Sequence, residues 1–166
     1  MKDRTIPEIV GTPSSSEIRA RWDAIMTTKI VAPGVNPDKP GLYLWRVEGV
    51  GAYIGVYSHL GKRMGHYRRT ITRYIQGRPF SDNPTDKRGF RLFLRALAEA
   101  VQNGREVTLT VLENEPDKPR RHARERALIV QYGASLNSIA KNLSDKPDAG
   151  AGDRMPTDEL GRRPRH

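Results

Sequence analysis

Two alternating segments, Gly41-Leu42-Tyr43-Leu44-Trp45-Arg46-Val47 and Gly51-Ala52-Tyr53-Ile54-Gly55-Val56-Tyr57, follow one another almost without a gap, and nothing else in the chain restricts the fold as tightly. Alternation with period two marks half-buried strands, and Gly49 and Gly51 supply the turn between them, so the pair must close as a β-hairpin. Either even pairing register puts Tyr43 and Tyr53 on one face, directly opposite or diagonal to each other.

The rest of the chain builds around that hairpin. Ser58 can cap a helix running to about Thr72, with Leu60, Met64 and Tyr67 as its inward stripe and His59, Arg63 and His66 as a polar stripe beside it. Residues 77 to 89 read as a loop. Phe93, Leu97 and Val101 recur at helical spacing, and Asn103-Gly104 ends that helix. EVTLTVLEN alternates as a third strand, and Pro119 opens a last helix that stops at Gly133. The expected fold is therefore a small α+β domain, a three-stranded antiparallel sheet flanked by helices.

At 166 residues the chain holds one core, not two. Residues 1–40 read as an N-terminal helical extension and linker: Ser14 to Ser16 offer a cap, Ile18, Trp22 and Ile25 or Met26 mark a peripheral helix, and VAPGVNPDKPG leads to the core. The core occupies 41–140. Residues 141–166 are rich in Pro, Gly, Asp and Arg and are expected to form a disordered tail.

Charge narrows the partner. Lys and Arg number 29 against 19 Asp and Glu, a net +10. Ten of those cations fall within 58–95 against only Asp82 and Asp86, and five fall within 118–126 against Glu125 alone. A surplus so localised suits a surface for a polyanion, with a solvated basic face as the bland alternative. The absence of cysteine excludes disulfides, thiol nucleophiles, zinc fingers and iron–sulfur clusters. Apolar runs fall far short of the roughly 20 residues that span a bilayer, and the charged start lacks a signal peptide's apolar region. These features lead us to expect a soluble cytoplasmic protein that does not enter membranes.

Glu125 is the most telling acidic residue. Leu128, Ile129 and Tyr132 follow it at i+3, i+4 and i+7, so its carboxylate shares the inward face of the last helix and needs a partner. An ion pair with Arg121, Arg124 or Arg63 would serve. So would a hard metal ion, and a single carboxylate suits one Mg²⁺ or Mn²⁺ completed by water and phosphate oxygen. The tyrosines are open to two readings as well: packing aromatics, or phenols that bind phosphate or, with lowered pKa, accept a proton from water.

Taken in order, Gly41-Leu42-Tyr43, Tyr53-Ile54-Gly55 ten positions on, Arg63 ten beyond that, then Glu125 with Leu136-Asn137 after it, this set resembles the GIY-YIG endonucleases over roughly residues 40 to 140. The resemblance implies a metal-dependent DNA endonuclease, with RNA also open. Tyr53 or Tyr43 would help activate water, with Tyr53 preferred. Arg63 and Tyr67 would stabilise the phosphate and Glu125 would hold the metal. Asn137 would order the site or touch substrate, although its commonest role is to close a turn. Many excision-repair relatives carry lysine three residues after the second tyrosine, where this chain has Val56, so Lys62 or another residue would have to supply that cation. His66, Lys62, Arg68 and Arg69 complete the expected substrate contacts. A non-catalytic nucleic-acid-binding module with the same fold is the alternative. Oligomeric state is not constrained.

Overall fold

Tyr43 stands opposite Gly55, and Trp45 opposite Tyr53, in an antiparallel ladder between β2 (Gly41–Val47) and β3 (Gly51–Tyr57). The hairpin thus adopts the diagonal alternative for its two tyrosines. The computed structural model describes residues 11–86 and 88–137. Around the hairpin lie α1 (Ser15–Thr27), β1 (Ile30–Val31), α2 (Leu60–Ile75), α3 (Leu92–Asn103), β4 (Val107–Asn114) and α4 (Lys118–Gln131).

The sheet corrects one expectation. It has four strands in the order β1-β4-β2-β3 and is mixed, because β1 pairs in parallel with β4 at Thr110 and Val111. Two residues are too few to show a period, so β1 is hidden inside the segment that reads as a linker. It occupies the edge of β4 that β2 leaves open.

Strand alternation sorts the side chains between two apolar layers. Tyr43, Trp45, Val47 and Tyr57 face α1, α2 and α3, whereas Leu42, Leu44, Ala52 and Ile54 face Leu128 and Ile129 of α4. The first helix is not peripheral. Its Ile18 and Trp22 are buried in the larger layer, with the Trp22 ring 5.7 Å from that of Trp45. Helical spacing identified the buried face of α1, but its partner is a sheet surface formed far along the chain.

Local chemistry explains the helix ends. Ser14 and Glu17 form a capping box on α1, and Asp117 accepts from the Arg120 amide at 2.9 Å to start α4. Gly104 ends α3 at φ 65°, where a side chain would be strained. Ser58 does not cap α2: the N-cap is His59, without a side-chain bond, and the Ser58 hydroxyl accepts from Arg121 at 3.4 Å. α2 also runs one turn longer than its pattern suggests, to Ile75.

After α4 the chain returns along the outer edge of β3. The Leu136 amide donates to Ala52 at 2.9 Å, and the Asn137 side chain both donates to and accepts from the Ile54 backbone at 2.8 Å. An otherwise open strand edge is covered in this way. The tail expected over 141–166 lies outside the described residues. Among the described residues no helix is long and apolar enough to cross a membrane.

A tyrosine-lined basic cleft as the candidate active site

Two glycines let the tyrosine cluster form. A Cβ on Gly55 would collide with the Tyr43 ring, and one on Gly41 would collide with the Glu113 carbonyl and approach the Tyr57 hydroxyl to 2.9 Å. With Gly55 bare, the Tyr43 ring lies across β3 and its hydroxyl meets that of Tyr67 on α2. Tyr53, two residues before Gly55, stacks on Phe93 of α3 with centroids 3.9 Å apart and planes 8° from parallel. The glycines in both strand motifs therefore have a direct steric role.

These aromatics form the floor of a cleft of about 550 Å³. Arg63, His66 and Thr70 line one wall from α2, and Arg91 and Leu94 line another from α3. Phe80, Ser81 and Arg88 approach from the intervening loop, and His122 from α4. Among the described residues, neither Arg63 nor Arg91 makes a side-chain ion pair, whereas Arg88 is held by Asp86 at 2.8 Å and lies over the Phe80 ring. The net positive charge facing the cleft therefore comes mainly from Arg63 and Arg91.

The phenols do not have the lowered pKa that a basic surface suggested. Burial, then the neighbouring Tyr67 and Tyr53, push Tyr43 well up, and Arg63 offsets this only in part. Burial and Tyr67 push Tyr53 far up in the same way, Glu125 adds to the effect, and Arg91 opposes it. Desolvation of a tyrosinate outweighs the attraction of two arginines. Both groups are therefore neutral hydrogen-bonding phenols at neutral pH. His66 shifts the other way: burial, then Arg63, Arg69 and Arg91, lower its pKa and favour the neutral imidazole.

Glu125, on α4, does not itself line the cleft but contacts His122, which does, and its side chain is 16% exposed. Its carboxylate lies 3.2 Å from His122 Nδ1 and does not pair with Arg121, Arg124 or Arg63. Arg124 instead grips Glu113 at 2.7 Å. Arg121 is buried, with its guanidinium on the Glu115 and Pro116 carbonyls. Among the described residues no cluster of three or more metal-ligating side chains forms. A single, largely buried carboxylate fits a hard cation that takes most of its ligands from water and substrate oxygen.

The cleft unites Tyr43, Tyr53, Arg63, His66 and Tyr67; Glu125 is not among its lining residues and adjoins it through His122. The cleft does not include the other expected contacts. Lys62 lines an adjoining recess with Ser58, His59, Arg63 and His66. Arg68 and Arg69 face a separate groove with Arg19, Arg73 and Arg78. Asn137 is buried, with its amide engaged by Ile54, so its observed contacts are structural. Tyr74 donates to Glu99 and packs edge-on against Phe90, which is itself edge-on to Phe80. Arg91 and Phe80, which the sequence offers only within the basic and aromatic run from Arg68 to Arg95, also line the cleft, and so does His122, which sequence reasoning did not single out. His122 could have been found, since it lies one turn before Glu125 on the same helix.

Fold and site together define an α+β domain with a four-stranded mixed sheet and a basic cleft floored by tyrosines. A structural comparison aligns the chain with the GIY-YIG N-terminal endonuclease domain of UvrC from Thermotoga maritima, a point mutant bound to its catalytic divalent cation. The identity is 19%, the alignment covers 72% of this chain and 93% of that chain, and the TM-score is 0.33. No family model matches the sequence, and no curated protein matches it significantly.

Proposed function

We propose that the chain is a divalent-metal-dependent endonuclease that hydrolyses DNA phosphodiester bonds by tyrosine-assisted attack of water. One observation carries this reading: three tyrosine side chains, Arg63 and His66 converge on a single cleft, and the Glu125 carboxylate stands next to it on His122 of the cleft wall. Arg63 grips non-bridging phosphate oxygens in a two-pronged geometry and stabilises the charge that grows on them. Tyr67 holds the Tyr43 hydroxyl in place, and Tyr53, the less buried of the pair, is the phenol that orients the water. Because burial keeps Tyr53 a neutral phenol, it orients the water through its hydroxyl, and it could accept the water's proton only after its own had passed to solvent, a loss that added positive charge beside it would favour. Glu125 would hold Mg²⁺ or Mn²⁺, which when bound would supply positive charge to offset the negative charge developing on the phosphate and its leaving oxygen.

Supercoiled plasmid provides the test. Nicking is expected with Mg²⁺, and its loss is expected in EDTA and in Glu125→Ala and Arg63→Ala. Cleavage that persists in EDTA, or an undiminished Glu125→Ala variant, would overturn the mechanism. The raised tyrosine pKa values favour one other reading, a nucleic-acid-binding module without chemistry. That module predicts salt-sensitive binding but no strand breaks with any metal.

A further inference from the structure

Arg91 occupies a position that helix chemistry disfavours. It is the N-cap of α3, where Ser, Thr, Asp or Asn would satisfy a free backbone amide, and it makes no side-chain cap bond. Its cation sits at the positive end of the helix dipole, and the first turn of α3 carries no acidic residue to offset it. Local rules broken without local compensation tend to mark functional positions.

The surroundings point to what compensates. Arg91 lines the same cleft as Arg63, Tyr53 and His66, and its charge is felt by both Tyr53 and His66. The β3 wall there, Tyr53 and Val56, carries no cation of its own. The other loop arginine, Arg88, is neutralised by Asp86. A phosphate held by Arg63 alone would be gripped from one side only, leaving the remaining lone pairs of its two non-bridging oxygens unmet.

We infer that Arg91 is a second phosphate-positioning cation, so that a phosphodiester in the cleft is held between α2 through Arg63 and α3 through Arg91. The ligand class is a nucleic-acid backbone phosphate. This deepens the nuclease reading and rests on it for the cleft's role in cleavage, although phosphate binding by Arg91 can be measured without any cleavage.

The test compares wild type with Arg91→Ser, Arg91→Lys and the charge-matched control Arg105→Ala, which lies past the opposite end of α3. Binding of a short DNA duplex is followed against salt in EDTA, and plasmid nicking in Mg²⁺. Each phosphate contact contributes about 0.9 to the slope of log affinity against log salt. Arg91→Ser should lower that slope by about one and weaken binding several-fold, and Arg91→Lys should restore the slope. Arg105→Ala should leave it unchanged. Because serine is a true N-cap, the melting temperature of Arg91→Ser should equal or exceed that of wild type, which a structural arginine would not allow. A fall in melting temperature together with binding, or an unchanged slope, would overturn the role of Arg91. A changed slope in a protein that never nicks DNA would uphold Arg91 and reject the nuclease. Nicking with an unchanged slope would do the reverse.

Discussion

Gly55 faces Tyr43 across the β2–β3 ladder, and the Tyr43 ring fills the space that a side chain at position 55 would need. Gly55→Ala should therefore push the ring away from Tyr67 and destabilise the fold by about 1–3 kcal/mol, the usual cost of overpacking. The two positions must also be coupled. In a Tyr43→Ala background the same glycine substitution should cost at least about 1 kcal/mol less, as read from urea unfolding in a double-mutant cycle. Additive costs would show that the glycine matters to the β3 backbone and not to the ring.

The raised phenols predict an alkaline weakness. Tyr43 and Tyr53 have folded-state pKa values above the unfolded value of 10.0. The native state thus retains protons that the unfolded chain releases. The stability this provides is complete below about pH 10 and is lost as pH rises toward the folded values, at up to about 1.4 kcal/mol per pH unit for each group. Urea midpoints should be level from about pH 7 to 9 and fall above 10. Tyr53→Phe should make that fall shallower, and an equally steep fall would contradict the burial of this phenol.

Most of the site was legible because its residues lie on regular elements. Tyr43 and Tyr53 share a face by strand parity, and Arg63 and Tyr67 are set by the stripe of α2. What escaped detection depends on long-range packing. β1 shows no periodicity, and α1 reads as peripheral because its partner Trp45 belongs to a distant strand. Charge counts could not reveal the tyrosine pKa direction, since desolvation outweighs nearby arginines only once the phenols are known to be buried. Asn137 was selected by its place in a motif, whereas its role follows from the exposed edge of β3. Arg91 is one of many cations in the basic run from Arg68 to Arg95, and nothing in the sequence sets it apart, because its place at the N-cap depends on where α3 begins.

His66 should report on the cleft's charge directly. Burial, then Arg63, Arg69 and Arg91 in that order, lower its pKa from 6.5. The stability linked to its neutral form is complete above about pH 6.5 and is lost as pH falls through the folded value. In an NMR titration its midpoint should lie below those of freely exposed histidines. Arg63→Gln should raise that midpoint more than Arg91→Gln does. A midpoint that neither substitution moves would mean that the arginines are directed away from the imidazole.

Asn137 should prove structural. Its amide satisfies both the N–H and the carbonyl of Ile54, each at 2.8 Å, on the strand that carries Tyr53. Asn137→Ala leaves two buried backbone groups unpaired, at a cost of about 1–3 kcal/mol. Asn137→Asp should be worse, since a carboxylate oxygen would then oppose the Ile54 carbonyl where an amide now donates. The salt slope of DNA binding should stay at the wild-type value in both variants, because the side chain is engaged by backbone and not by substrate. Cleavage should weaken only in proportion to the loss of folded protein, and recover when the assay is run at lower temperature. A fully stable Asn137→Ala protein with a reduced salt slope would instead place the amide on the nucleic acid, and β3 would then need another partner along its edge.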